Sequence, residues 1–446
     1  MDNEPFISSA ITLTSDRKNQ DTDPKIVPNA MLELGTRFHT DLTGKAPLLF
    51  EDGSSELLYN LLTHIPKPIT YIIHKLLAKN PSDRYLSFEG LLFDLEKCLE
   101  SYQKTGTIAH FFPGQHDRPT QLTFSTTLYG RTQSKDRLKE RLNTYESGPH
   151  LTLVSGEAGV GKTQLIRNTL AEHLAPNTLQ GSGKFDQYSN TPLATLSQIL
   201  EEVGDNLSKQ SLPTNWAESL SKALDPNGRL ITDLAPVFEY IIGPQPPLDI
   251  IETEDIKNRF LFVFTDFLRM LADHYPVTLF VDDLQWSDPL TLDIIKQLLN
   301  LQAPIHIIGS YRSELQTINP AFVTFLSHFQ NEAPHKLTEI EIKPLTQDDI
   351  DNWLTDLLYC DDQPTDALSQ LLYDKSDGNP FFLKQLLQTC IQSNTLHYDK
   401  DKQRWHWNIH TIREHQLADN VAKAMASRIL TMPQQTITLM QTAACL

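Results

Sequence analysis

The chain has 446 residues, enough for about three domains at roughly 150 residues each. With 39% hydrophobic and 21% charged residues it has the composition of a folded globular protein, not of a disordered or membrane-embedded one. A formal net charge of −18 argues against a nucleic-acid or anionic-membrane binder, because their phosphates would repel such a surface before contact.

In chain order, residues 1–47 are polar and show no clear period, which predicts a disordered or loosely ordered leader. The start, Met1-Asp2-Asn3-Glu4, is acidic where a signal peptide is basic and then apolar. No apolar run reaches the roughly 18 residues of a membrane span, so a cytoplasmic protein is expected. Over 48–105 the pattern turns helical. Leu57, Leu58, Leu61 and Leu62 share a face, as do Ile72, Ile73, Leu76 and Leu77 after Pro66-Lys67-Pro68, and Leu91, Leu92, Leu95 and Leu99 follow. A linker over 106–127 contains Phe112-Pro113-Gly114.

Short apolar strands then alternate with helices over 128–344: Leu151-Thr152-Leu153-Val154, Val277-Thr278-Leu279-Phe280-Val281 and Ile305-His306-Ile307-Ile308. The predicted fold class is therefore α/β, a parallel sheet covered by helices on both faces. Helical periodicity returns over 345–395, with Ile350, Trp353, Leu354 and Leu357 on one face and Phe381, Phe382, Leu386 and Leu387 on another. A hairpin is expected from His397 to Trp407, its Trp405 and Trp407 read as hairpin core. Cys98, Cys360, Cys390 and Cys445 lack any Cys-x-x-Cys spacing and are expected to be reduced, buried thiols.

Gly156-Glu157-Ala158-Gly159-Val160-Gly161-Lys162-Thr163 fits G-x-x-x-x-G-K-[ST], between an apolar strand and a helix. In such a P-loop the glycines allow a tight turn whose N–H groups face the β-phosphate of a nucleotide, and the helix start adds its positive end. Lys162 is expected to bridge β- and γ-phosphate oxygens, and Thr163 to give Mg²⁺ a hydroxyl ligand. ATP with Mg²⁺ is the expected cofactor pair. Leu279-Phe280-Val281-Asp282-Asp283 fits a Walker B strand: Asp282 would hold Mg²⁺ through water, and Asp283, shorter than the usual glutamate, would polarise the attacking water. Taken in isolation this pair is also what a solvated turn after a strand looks like. Arg312 ends Gly309-Ser310-Tyr311-Arg312 and would sense the γ-phosphate if its strand adjoins the P-loop strand; the alternative is a surface salt bridge.

Together these elements resemble the AAA/STAND-type, origin-recognition-like ATPase region of large bacterial signalling proteins that join a serine/threonine kinase, this ATPase, a GAF domain and a histidine kinase. The resemblance rests on Tyr129-Gly130-Arg131, Gly183-Lys184-Phe185-Asp186-Gln187, Asn258-Arg259-Phe260, Asp282-Asp283-Leu284-Gln285-Trp286-Ser287-Asp288 and the G-x-Y-R ending at Arg312. It departs at Thr132 and Ser134, where acidic residues usually follow the arginine. The resemblance implies that Tyr129, Gly130 and Arg131 border the adenine and that Pro380, in Gly378-Asn379-Pro380, contacts the base from a helical lid over 345–395. It also implies that 396–446 hold the hairpin and the start of a helical or winged-helix region.

Lys75 to Tyr85 resembles the end of a protein kinase C-lobe, with Arg84 as its structural arginine. No Gly-rich loop, V-A-I-K lysine, H-R-D loop or D-F-G site precedes it, so an inactive kinase remnant is expected, in a chain that reads as part of a longer architecture. The leading expectation is a slowly hydrolysing signalling ATPase with protein partners and possible nucleotide-dependent assembly. The alternatives are a degenerate ATP-binding module without turnover and an initiator-like AAA protein acting on DNA.

Overall fold

The computed structural model describes residues 4–20, 26–45, 65–115, 117, 122, 124, 127–142, 148–187, 193–210, 216–248, 253–314, 319–360, 364–399, 402, 404–414 and 434–443. Leu57, Leu58, Leu61, Leu62 and Cys445 lie outside the described residues. The chain forms two compact units, one of Met1–Ser125, Trp353–Thr365 and Cys390–Glu414, the other of Thr126–Asn352, Asp366–Thr389 and His415–Leu446.

The first unit contains helices α1 (Glu4–Gln20), α2 (Val27–Thr43), α3 (Lys67–Leu76) and α4 (Phe88–Thr105). The expected loose leader is thus corrected: most of it is helical. Ile7, Ala10 and Thr14 on α1, and Ala30, Met31, Leu34 and Phe38 on α2, recur at helical spacing and are buried. On α1 the stripe is narrow, and Thr14 is carried inside by donating its hydroxyl proton to the Ala10 carbonyl at 2.7 Å, so polar composition concealed it. α2 and α3 approach closely at Gly35, where a Cβ would lie 2.7 Å from Leu76 Cβ.

Arg84 ties the turn before α4 together. Its guanidinium donates to the carbonyls of Ala78 at 2.8 Å, Pro28 at 2.9 Å and Lys79 at 3.2 Å. Asp117 accepts from the N–H groups of Leu86 and Ser87, and burial pushes its carboxyl up to about 6. In the same unit Leu396–Asp399 pairs antiparallel with Arg404–Trp407. Trp405 is buried there.

The second unit is built on five parallel strands, β1 (His150–Gly156), β2 (Leu179–Lys184), β3 (Val277–Asp282), β4 (Ile305–Arg312) and β5 (Leu337–Glu341), in the order β2-β3-β4-β1-β5. Between and beyond them run α5 (Thr132–Leu142), α6 (Lys162–His173), α7 (Ala194–Ser208), α8 (Trp216–Leu224), α9 (Arg229–Leu234), α10 (Val237–Ile242), α11 (Thr253–Ala272), α12 (Pro289–Leu299) and α13 (Pro320–Glu332). Helices α14 (Gln347–Leu358), α15 (Asp366–Ser376) and α16 (Pro380–Gln392) follow in the chain, with α14 from Trp353 onward and α16 from Cys390 onward counted in the first unit. Strand alternation splits the buried side chains between two faces. Leu151, Leu153, Ile305 and Ile307 join the larger core with α7, α11 and α12. Val154, Phe280 and Ile308 join Leu138 of α5 and Leu165 and Ile166 of α6 on the other. The fold is thus the P-loop NTPase α/β type, with helices flanking a parallel sheet.

Two histidines sit in the strands, His306 buried and His150 half-buried. Thr152 Oγ1 shares a hydrogen bond with His306 Nε2 at 2.8 Å, and His150 Nε2 shares one with Thr338 Oγ1 at 2.8 Å. Burial drives His306 down to about 3 and His150 to about 4. Cys98, Cys360 and Cys390 are buried and form no disulfide among the described residues. Among the described residues no helix is long and apolar enough to cross a membrane.

Candidate functional site

Strand pairing gathers the site. In the sheet Gly156 lies opposite Arg312, and Lys184 opposite Asp282, so four strand ends meet at one carboxyl edge, where open α/β sheets place their ligands. β4 separates β1 from β3, so Arg312 does end the strand that adjoins the P-loop strand.

The loop leaves β1 at Gly156 and enters α6 at Lys162. Gly159 and Gly161 adopt φ of 79° and 101°, left-handed values that glycine takes without strain. The first N–H groups of α6 have no partner within the helix and face out of its start, a natural anion seat. Lys162 is 93% buried, and its Nζ donates to the carbonyls of Gly156 and Glu157, each at 2.8 Å. Desolvation lowers its ammonium below the ordinary lysine value, while Asp283 and Glu314 pull the other way.

Thr163 Oγ1 stands 3.0 Å from both carboxylate oxygens of Asp282. Ser310 on β4 also donates its hydroxyl proton to Asp282 Oδ1, and accepts the Asp283 N–H at 3.0 Å. Asp283 has left-handed backbone, φ 60°. Its carboxylate receives the Gln285 side-chain amide at 2.9 Å, and Gln285 Oε1 accepts the Arg312 N–H at 3.1 Å. Lys184 Nζ is 3.3 Å from Asp283 and 3.9 Å from Asp282. The Arg312 guanidinium lies 4.7 Å over the Trp286 ring, its Nε 3.9 Å from Asp283 Oδ1. Lys162, Thr163, Asp282, Asp283 and Arg312 therefore converge in one place.

A second set of contacts grips the loop. Asn379 Nδ2 donates to the Ala158 carbonyl at 2.8 Å, and the Phe381 N–H to the Gly159 carbonyl at 3.3 Å. Half-buried Pro380 sits between these two contacts and opens α16. The buried Arg131 donates to the Val160 carbonyl at 3.1 Å. Tyr129 and Gly130 form the turn before it, and Gly130 (φ 62°) packs so closely on Asp349 that a Cβ would lie 2.4 Å from its carboxylate. Arg131 and the segment around Pro380 thus reach the loop itself.

The arrangement suits a phosphate ester held with a hard divalent cation. The loop and α6 start supply N–H groups and a cation, and Thr163 and Asp282 supply the converging oxygen donors that Mg²⁺ prefers. Lys184, Gln285, Ser310, Glu314 and Asn379 were given no individual role from sequence. Lys184, Gln285, Ser310 and Asn379 lie inside segments quoted for the resemblance or as motifs, which was the available signal. Glu314 had none.

Residues 127–308 match the protein family described as AAA ATPase domain. Hybrid signal transduction histidine kinase G of Dictyostelium discoideum is 24% identical over a match covering 93% of this chain and 15% of that protein. Peroxide stress-activated histidine kinase mak3 of Schizosaccharomyces pombe is 22% identical, with 77% of this chain and 18% of that protein covered. The chain thus spans less than a fifth of the length of these relatives. Among solved structures, the Walker-type ATPase paby2304 of Pyrococcus abyssi aligns at a TM-score of 0.35 and 16% identity, covering 70% of this chain and 78% of that one. The family match falls within the α/β unit, and both of these relatives are histidine kinases by name.

Proposed function

We propose that this chain is a signal-transduction switch that binds ATP with Mg²⁺ and hydrolyses it slowly, with the kinase-like N-terminal helices taking no catalytic part. The observation that carries the reading is the Thr163 hydroxyl set 3.0 Å from both oxygens of Asp282, beside a buried Lys162 at the mouth of the loop. In this reading the loop N–H groups and Lys162 bind and orient the phosphates, and Thr163 and Asp282 hold the metal. Bound Mg²⁺ would neutralise charge on the phosphate oxygens. Asp283 orients the attacking water and takes up its proton. Arg312, stacked on Trp286, offers a fixed positive charge to the terminal phosphate.

Switching requires that nucleotide favour one of two states. The bonds from Asn379 and Phe381 to the loop carbonyls supply a mechanical link, because a loop reshaped around phosphates alters what α16 rests on. Tyr129, Gly130, Arg131 and Pro380 would border the base, and neighbouring signalling domains or partner proteins would feel the change.

The test is fluorescent-ATP binding with and without Mg²⁺, wild type against Lys162→Ala, with phosphate release followed in the same samples. Mg²⁺-dependent binding that Lys162→Ala abolishes, with slow release in wild type, is the expected result. Binding without any release would replace the switch with a non-hydrolysing module, and no binding at all would overturn the reading.

A further inference from the structure

One contact on the loop comes from an acid. The Ala158 N–H donates to Glu314 Oε1 at 3.1 Å, and the Glu314 charge also reaches Lys162. Glu314 stands two residues beyond Arg312, off the end of β4. It therefore approaches from the side of the loop occupied by Asp283 and Arg312, where a terminal phosphate would react, and not from the start of α6. A P-loop is a cradle for anions, and this one takes an anion from its own chain.

Resting on the ATP-binding reading above, we propose that Glu314 is a specificity-determining residue that sets the preference between nucleoside triphosphate and diphosphate. Its carboxylate competes with the terminal phosphate for the Ala158 N–H and for the Lys162 charge, and repels a terminal phosphate placed beside it. A diphosphate, seated against the α6 start, leaves Glu314 in place. A triphosphate has to turn it away, so its binding carries a penalty that ADP escapes. Two effects act in the same sense: a charge-assisted hydrogen bond is broken, and like charges are brought together where burial of Lys162 marks a partly desolvated site.

The full chain, with Mg²⁺ throughout, is titrated by AMP-PNP and by ADP in competition with a fluorescent ADP analogue, for wild type, Glu314→Gln and Glu314→Ala. Glutamine keeps an acceptor for Ala158 but no charge; alanine removes both. Glu314→Ala should bind AMP-PNP about tenfold more tightly than wild type, the size of one charged hydrogen bond, and Glu314→Gln by a smaller factor in the same direction, with ADP changed by less than about twofold in both. Retained ADP affinity also reports that each variant is folded. An unchanged AMP-PNP to ADP ratio in both variants overturns the proposal while leaving the nucleotide reading intact, and so does equal weakening of both ligands. A wild type that binds neither nucleotide overturns the two together.

Discussion

Replacing Gln285 with alanine should uncouple the candidate water-orienting acid from the strand that carries Arg312. Gln285 is wholly buried and bonded at both ends of its amide, to the Asp283 carboxylate at 2.9 Å and the Arg312 N–H at 3.1 Å. Truncation orphans the backbone donor at about 1–3 kcal/mol. Asp283 keeps its ion pair with Lys184 and so moves toward it instead of losing all support. The sum is a loss of about 2–3 kcal/mol in stability, with the acid displaced by a fraction of an ångström to about 1 Å. A displacement of that order costs up to roughly a hundredfold in rate. Phosphate release at saturating ATP should therefore fall about 10- to 100-fold, while nucleotide affinity, which rests on the loop and Lys162, stays within about threefold. In Gln285→Glu turnover should be low at neutral pH and recover as pH falls, since a protonated carboxyl can again donate to Asp283. Urea unfolding and single-turnover phosphate release on the same preparations decide the matter. Wild-type turnover and stability in Gln285→Ala would refute the coupling, as would equal loss of affinity and rate.

The two strand histidines make the sheet acid-sensitive. Their folded pKa values, about 3 for His306 and about 4 for His150, lie below the ordinary 6.5. The unfolded chain therefore binds more protons between those values, and stability, complete above about pH 6.5, declines as pH falls toward them, by up to about 1.4 kcal/mol per pH unit for His306 and less for the more exposed His150. Asp117, raised to about 6, acts in the opposite sense, so denaturant midpoints at pH 7.5 and 5.5 should be compared between wild type and His306→Asn, in which the decline shrinks. Arg84→Ala should destabilise the first unit by about 2–4 kcal/mol by stripping donors from three carbonyls, read as faster proteolysis of that region. Arg84→Lys should restore little, because one ammonium cannot replace a planar fork.

Some of this molecule could be read directly from the chain and some could not, for physical reasons. The P-loop is contiguous, so its strand, glycines, Lys162 and Thr163 declare themselves together, and the three apolar runs that became β1, β3 and β4 are buried on both faces. β2, Leu179–Lys184, escaped notice because it is half glycine and serine. Gly181 and Gly183 are needed where α7 presses in, a Cβ there lying 2.6 Å and 2.5 Å from the carbonyls of Ile199 and Thr195. β5 is an edge strand whose buried and exposed residues alternate, Thr338 and Ile340 in, Glu339 and Glu341 out, too short a pattern to stand out. Asn379 is a different case: its contact joins residues 221 positions apart, a proximity that only the folded sheet and helices create.

The left-handed backbone at Asp283 bears on how this site could be altered. Aspartate and asparagine tolerate φ near +60° better than longer side chains do, and here Asp283 also donates its own N–H to Ser310. A glutamate would gain reach, yet would have to reshape the bend that keeps β3 and β4 in step. The short acid is thus a property of the chain's path as much as of its chemistry, and on the proposed reading faster hydrolysis is better sought by moving the partners of Asp283 than by lengthening it.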